Sequence, residues 1–452
     1  MPDTSRRAFL KSSAVAAGTA ALAAPAVARA AAGANDKIRV ALVGLGGRMT
    51  SHVASLAQMT KDVEIVALCD CDETLLQNAV ARYPQLAGKK LTRYTEQKKL
   101  FDDKGVDAVS FATQDHWHAL QTIWACQAGK DVYVEKPCAH TLWEGRKMVE
   151  AARRYGRMVQ HGTQCRSSPN IREGIQKLKE GVIGEVYMAR GMSYKLRGHL
   201  GKDRPRPVPK GLDWDKWVGP SQMVPYSSFH HRRWYWCSNF ASGDIANQTV
   251  HNMDIIRWGL GLATHPTRIQ SMGGRYLPAT DDDADTPNTQ TLSAQWQGRD
   301  LLVQFEIRHW YTPTEAGMGD QYPFVDHGSV VGVIFFGAKG YMIFPDYSSY
   351  RVFLGPKREA GPFAHAAGEP VMDLEHFQNW IAAVRSRKLS DLNADIEEGH
   401  LSTAVSHLAK IACRLGRTLN FDPQKERFLG DPEADKLLTK EYRPQYAVPE
   451  AV

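Results

Sequence analysis

The sequence predicts an α/β chain: an N-terminal parallel sheet wrapped by helices, then a C-terminal α/β domain on a large, mostly antiparallel open sheet. Three observations predict this. From Lys37, short apolar runs alternate with segments of helical period, the pattern of strands buried on both faces beneath crossover helices. After Arg166 the period becomes strand-like over 185–197, 266–310 and 329–354, and the intervening stretches show no helical period. Two amphipathic helices then close the chain, one carrying Phe377, Trp380, Ile381 and Val384, the other Leu401, Leu408, Ile411 and Leu415. The expected organisation is a separate segment 1–30, a first domain 37–165, a sheet domain 166–372, and closing helices with a tail over 373–452.

A chain of 452 residues is long enough for two domains with cores of their own. The formal charge is +7, but Arg6, Arg7, Lys11 and Arg29 against Asp3 place three of those charges in the first 30 residues. No block of lysine or arginine stands out elsewhere, which argues against nucleic acid as a partner. No later stretch is long and apolar enough to cross a bilayer, so no stable membrane anchor is expected. The seven cysteines, at 69, 71, 126, 138, 165, 237 and 413, are odd in number and scattered through apparent strands and helices. They read as small core residues, not as a disulfide framework.

The elements are taken in chain order. Ser5-Arg6-Arg7-Ala8-Phe9-Leu10-Lys11 precedes a weakly apolar, alanine-rich run from Ala14 to Ala28. Ala26-Val27-Ala28 and Ala28-Arg29-Ala30 both fit small-x-small cleavage sites. Residues 1–30 are therefore expected to be a twin-arginine signal, cleaved after Ala28 or Ala30, sending the protein to the periplasm or outside the cell. Expected strands then run from Ile38 to Val43, Val63 to Leu68, Ala108 to Ala112 and Val132 to Val134, with Met158-Val159 a further one. Between them lie helical patterns over Thr50 to Met59, Glu73 to Tyr83, His118 to Ala128 and Leu142 to Arg154. Thr141 with Glu144 forms a capping box for the last of these. Residues 198–242 are long, irregular and proline-rich, and a loop of that length usually forms a functional wall or lid.

The first strand runs into Gly44-Leu45-Gly46-Gly47-Arg48-Met49. Gly44 would make the tight turn, and Gly46 would let backbone N–H groups approach a pyrophosphate at the helix N-terminus. Gly47 and Arg48 belong to the same turn, while Met49 stands where a third glycine is usual. Asp70 ends the next strand, 24 positions past Gly46. It would accept hydrogen bonds from ribose hydroxyls and repel a 2′-phosphate, so a Rossmann domain holding NAD, and less readily NADP, is expected.

Asp115-His116-Trp117-His118, Val134-Glu135-Lys136-Pro137, Gly162-Thr163-Gln164, Leu212-Asp213-Trp214, Gly243-Asp244-Ile245 with Asn247-Gln248, and Asn393 to His400 together resemble the Gfo/Idh/MocA oxidoreductases, specifically their exported bacterial branch. The resemblance implies a Rossmann domain with NAD or NADP beside an open sheet. It further implies hydride transfer between the cofactor and a ring carbon of a sugar, cyclitol or similar polyol. By resemblance, Glu135 and Lys136 lie beside the cofactor, with Lys136 near the reacting oxygen and Pro137 holding a turn that is often cis. Physically, the Lys136 ammonium would polarise that oxygen and stabilise developing alkoxide. The resemblance makes His251 the acid/base that contacts the substrate hydroxyl. Asn247 stands where many members carry aspartate, so a proton relay through that position is not available, and Thr249 replaces a frequent glycine. It also implies oligomerisation through the open sheet face, as a dimer or tetramer.

Weaker candidates complete the set. His116 sits near the expected nicotinamide, and Gln164 and Arg166 leave the last strand of the first domain toward the substrate. Arg232 and Trp234, with His230, His231, Tyr235 and Trp236, crowd the long loop, and aromatic faces beside a guanidinium suit a sugar or glycoside. No metal is expected, because no carboxylate or cysteine completes His230-His231 or His116-x-His118. Free cofactor should be scarce outside the cytoplasm, so an exported enzyme either keeps its NAD bound between two half-reactions or reverses the hydride step on one substrate. The second route is the alternative function: an NAD-dependent glycoside hydrolase working by oxidation at C3, elimination, water addition and re-reduction, without the paired carboxylates of ordinary glycosidases.

Overall fold

A computed structural model describes residues 37–197, 199–277, 282–310, 315, 330–365 and 372–452. The expected signal segment lies outside the described residues. The first sheet holds β1 (Ile38–Val43), β2 (Val63–Cys69), β3 (Thr92–Tyr94), β4 (Ala108–Phe111), β5 (Asp131–Val134) and β6 (Val159–His161). Its order is β3-β2-β1-β4-β5-β6, with every pair parallel. The strand order reverses direction between β1 and β4, and in such sheets ligands bind outside the carboxyl ends at that point. β3 and the helix Gln97–Asp102 were not evident from the sequence. β3 is three residues at a sheet edge, too short and too exposed for alternation to show. The capping box forms: Thr141 Oγ1 accepts from Glu144 N (3.3 Å), and Glu144 Oε2 accepts from Thr141 N (3.1 Å).

The second sheet comprises β7 (Val186–Tyr194), β8 (Arg268–Gly274), β9 (Thr289–Gln295), β10 (Leu302–Arg308), β11 (Val330–Gly337), β12 (Gly340–Phe344), β13 (Tyr350–Leu354), β14 (Glu359–Ala364), β15 (Leu419–Asp422) and β16 (Arg427–Phe428). Its order is β14-β13-β12-β11-β7-β10-β9-β8-β15-β16. It is antiparallel except where β7 meets β10. Inward residues alternate cleanly, as in β10, where Val303, Phe305 and Ile307 are buried. They pack with Val405, Leu408 and Ile411 of the helix Ile396–Leu415 in one core. Two further helices correct the expectation of no helical period after Arg166: Pro169–Lys179 and Thr249–Leu260. The second is buried along nearly its whole length, so the polar face that would have marked a helical period is not exposed.

The two sheets are joined by packing. The helix Met372–Ser386 places Phe377, Trp380, Ile381 and Val384 in the core of the first domain, against Val40, Leu42 and Tyr133. Val448 and Val452 of the tail also insert into that domain's core. All seven cysteines are unpaired. The loop that follows β7 builds its own apolar cluster from Trp214, Trp217, Tyr226, Phe229, Trp236 and Phe240. Trp214 and Trp217 stack with ring centroids 4.5 Å apart. Among the described residues, no helix is long and apolar enough to cross a membrane.

Candidate active site

The turn after β1 is shaped by steric limits. Gly44 has φ +84°, and a Cβ there would stand 2.7 Å from Thr113 Cγ2 and 2.9 Å from the Ala112 carbonyl. Only glycine fits such a position. A Cβ on Gly46 or Gly47 would meet no protein atom within 4 Å, so their open face belongs to a cleft. Asp70 closes the loop from behind: its Oδ2 accepts from Leu45 N (2.6 Å) and its Oδ1 from Asp72 N (2.9 Å). Burial pushes the Asp70 carboxyl up to about 6, against the two backbone donors. Tyr83 adds a support that sequence reasoning missed, its hydroxyl donating to Leu45 O (2.7 Å) and Gly46 O (3.0 Å).

The cleft above this turn has a volume of about 630 Å³ and is lined by Gly44, Gly46, Gly47 and Asp70 below. Its roof comes from the other domain and the tail, through Trp217, His231, Arg232, Trp234, Gln445 and Tyr446. The roof is tied down along its edge. Leu212 forms an antiparallel bridge with Asp72, and Asp213 N donates to Cys71 O (3.0 Å). Arg443 pairs with Asp215, and Tyr446 OH donates to Asp215 Oδ2 (3.3 Å) while its ring meets Trp117 edge-on at 5.3 Å. A second cleft of about 400 Å³ shares Gly46, Gly47, Ala112, Thr113, Gln114 and Trp234 with the first. Its remaining wall includes Arg48, Asp115, Glu135, Lys136, Arg197, Tyr235 and Asn247. The two spaces meet at the carboxyl ends of β1 and β4, where a dinucleotide with a substrate beyond it would lie.

Lys136 lines the second cleft on a cis Lys136–Pro137 peptide. Its Nζ donates to Asn247 Oδ1 (2.6 Å) and Asn247 O (3.2 Å). His118 holds the turn by bonding Pro137 O from Nδ1 (2.7 Å). Burial lowers the Lys136 pKa, while Glu135 and Asp115 raise it. Asp115 lies in the first turn of the helix Asp115–Gln127, and burial pushes its carboxyl up to about 7 against the pull of Lys136. Asn247 does not end the polar chain, because its Nδ2 donates to Asp244 Oδ1 (3.0 Å). Asp244 Oδ2 is 2.9 Å from His309 Nε2. Burial works against ionisation of Asp244, but His309 and Arg197 hold it below the usual carboxylate range. The carboxylate missing at 247 is thus present one helical turn earlier, where it orients the amide that orients Lys136.

His251 lies one turn beyond Asn247 on the helix Thr249–Leu260. It is buried, its ring 4.9 Å from that of Tyr347, and its Nδ1 has no hydrogen-bond partner among the described residues. Burial, and then Lys136, hold its pKa well below the ordinary histidine value, so the ring is neutral. It lines neither cleft.

Other expected residues sit elsewhere. Glu135 Oε1 receives Arg48 Nε (2.8 Å) and His52 Nε2 (3.1 Å), and Arg48 also forks onto Asp373. Glu135 and Arg48 therefore line the substrate-side cleft as a joined pair. Gln164 Nε2 donates to Asp373 Oδ1 (3.0 Å), behind the same network. Arg166 corrects the expectation of substrate contact. It is buried in a fork with Asp254 (2.7 and 2.9 Å) and reaches Glu398 (3.0 Å). Removing one partner of such a buried pair costs about 3–5 kcal/mol, which marks Arg166 as structural. His116 is likewise buried, its ring nitrogens against Phe240 O (3.3 Å) and Trp217 O (3.1 Å), and burial lowers its pKa to about 3. It pins the roof and lines neither cleft. Arg232 lines the first cleft, not the substrate-side space, and Trp234 lines both.

A glycine turn, an acid-ended second strand and a lysine in the adjoining cleft define a nucleotide-binding, two-domain oxidoreductase fold. Residues 38–163 match the oxidoreductase family described as having an NAD-binding Rossmann fold, and residues 362–448 match that family's C-terminal alpha/beta domain. The chain belongs to this family, the Gfo/Idh/MocA oxidoreductases. Among curated relatives, it is 30% identical over 161 residues to a glycosyl hydrolase family 109 protein of Shewanella putrefaciens, covering 33% of this chain and 34% of the relative. It is also 30% identical over 158 residues to an inositol 2-dehydrogenase of Salmonella typhimurium, covering 35% and 46%. The chain thus spans about a third to a half of the length of these relatives. A similar fold occurs in the WlbA dehydrogenase from Bordetella pertussis in complex with NADH and UDP-GlcNAcA (TM-score 0.63, 19% identity, 86% of this chain and 99% of that one). It occurs too in a levoglucosan dehydrogenase in complex with NADH and levoglucosan (TM-score 0.63, 15% identity, 85% and 99%).

Proposed function

We propose that the protein is an exported oxidoreductase that moves a hydride between tightly held NAD and a ring carbon of a sugar or glycoside. The observation that carries this reading is the placement of Lys136 in the wall of the second cleft, which adjoins the nucleotide cleft, its ammonium held by Asn247 and backed by Asp244. Bound NAD would supply the hydride acceptor. Lys136 would donate to the oxygen on the reacting carbon and stabilise negative charge there. The neutral His251 would take the hydroxyl proton, which requires its buried ring to be uncovered when substrate binds. Asp70 supports NAD over NADP, since a carboxylate at the ribose would repel a 2′-phosphate. Similarity to an inositol 2-dehydrogenase supports a polyol or sugar substrate.

The roof supports retention of the cofactor. Release requires breaking the Asp215 contacts of Arg443 and Tyr446 and the bridge from Leu212 to Asp72. This suits an enzyme directed outside the cytoplasm by Arg6 and Arg7. Arg6→Lys with Arg7→Lys should leave the protein in the cytoplasm; unchanged export would remove that part of the proposal. The open second sheet supports a homo-oligomer, which light scattering on the purified protein tests.

Similarity to a family 109 glycosyl hydrolase protein favours one second reading, net hydrolysis of a glycoside with no net change in the cofactor. One experiment tests both. The purified protein should release NAD on denaturation, and protein that neither carries nor binds NAD would defeat the proposal. With a panel of p-nitrophenyl glycosides and free sugars, keto-sugar with cofactor reduction marks the dehydrogenase. Aglycone release without cofactor change marks the hydrolase.

A further inference from the structure

Arg197 follows β7 and enters the substrate-side cleft opposite Lys136. Its backbone N–H donates to His309 O (3.0 Å), which fixes where the side chain leaves the sheet. The guanidinium carbon lies 5.4 Å from the Trp236 ring centroid. Its Nε is 3.5 Å from Asp244 Oδ2, an ion pair without a hydrogen bond. Asp244 is already satisfied by His309 and Asn247, so it anchors Arg197 without engaging its fork. Among the described residues, no acceptor bonds the terminal amino groups of Arg197, whose side chain is 28% exposed.

The other charges of this cleft wall are accounted for. Arg48 is neutralised by Glu135 and Asp373. Asp115 is buried, with burial favouring its protonated form. Lys136 is held by a neutral amide. Arg197 thus presents to this space a guanidinium whose terminal amino groups are not engaged by Asp244, beside the Lys136 ammonium. Lys136 has a role at the reacting carbon, which leaves Arg197 for a group farther along the substrate. A planar guanidinium fork matches a carboxylate in bidentate fashion.

We propose that the substrate is a sugar acid, a uronate or its glycoside, whose carboxylate is received by Arg197. This rests on the sugar reading above and names the class of sugar. The test is binding to the NAD-loaded protein, measured by calorimetry, using methyl glucuronides and methyl galacturonides paired with the corresponding neutral methyl glucosides and galactosides. At least one acid should bind about ten-fold or more tightly than its neutral partner, as a charge-assisted fork provides. Arg197→Gln should erase that preference, the acid losing about ten-fold or more in affinity relative to its neutral partner, and Arg197→Lys should keep part of it. Unchanged NAD content and thermal unfolding in Arg197→Lys would show the site intact. Absence of any acid preference in the wild type overturns the proposal. So does equal loss for acid and neutral sugars in both variants, or tighter binding of glucose 6-phosphate than of every uronate. Failure of the hydride reading shows separately, as NADH formation from no sugar, because the calorimetry does not depend on turnover.

Discussion

Replacing Asp115 by Asn should flatten the pH dependence of stability, and the magnitude can be worked out. Asp115 is 5% exposed, and burial pushes its carboxyl up to about 7. In the unfolded chain an aspartate titrates near 3.9. The folded state therefore holds this proton more tightly, and unfolding releases it between those two values. Stability falls as pH rises through that window and levels off above the folded value. A difference of about three pK units is worth roughly 4 kcal/mol on the alkaline plateau, of which more than half is lost between pH 5 and pH 8. Asparagine has nearly the same shape and does not titrate. Asp115→Asn should thus gain roughly 2–3 kcal/mol on wild type between pH 5 and pH 8. Urea unfolding of both proteins at matched cofactor content checks this. A difference independent of pH, or wild type gaining on the variant with rising pH, would refute the argument and mean that Asp115 folds ionised. The same change should shift activity, since Asp115 raises the Lys136 pKa and its loss lets that pKa fall. If protonated Lys136 is required, the alkaline limb of the rate profile moves to lower pH.

Other outcomes follow from the site. Lys136→Ala and His251→Ala should each lower turnover by at least about a hundred-fold with the fold intact by circular dichroism, as expected for charge stabilisation and proton transfer; wild-type rates in both would reject these roles. Arg443→Ala combined with Tyr446→Phe removes the tail's hold on Asp215 and should speed NAD loss on repeated gel filtration, with near-normal turnover when NAD is supplied. Cofactor retention equal to wild type would show that the tail does not limit release. Asn247→Ala deletes the acceptor that holds Lys136, and turnover should fall about ten-fold or more with little change in NAD content. An unchanged rate would show that Lys136 is positioned by its turn alone.

The first domain was legible because its signals are local. The β1 strand, Gly44, Gly46 and Asp70 lie within one strand-turn-helix-strand unit, and each has a backbone reason for its identity. Asp115 to His118 and Glu135 to Pro137 were visible as motifs, yet their division of labour was not. His116 and His118 differ by two positions, but one pins the roof at Trp217 and the other the turn at Pro137. Arg166 and Arg197 were not separable either. Both are arginines leaving a strand, and only the presence of Asp254 beside the first decides which is sealed in the core. The helix Thr249–Leu260 escaped the period analysis because burial on nearly all sides removes amphipathicity.

Composition, period and the residues around Gly44 and Lys136 establish on their own a two-domain α/β chain with a nucleotide turn and a lysine near it. Those features arise within a few residues of chain, where backbone sterics and helix polarity act. Tertiary packing alone decides that Asp244 backs the amide at 247, that the tail at Tyr446 lines the first cleft, and that Arg197 lines the second. Each joins groups tens to hundreds of residues apart or depends on which partner removes a charge from solvent. Burial and pairing of that kind are properties of the assembled fold.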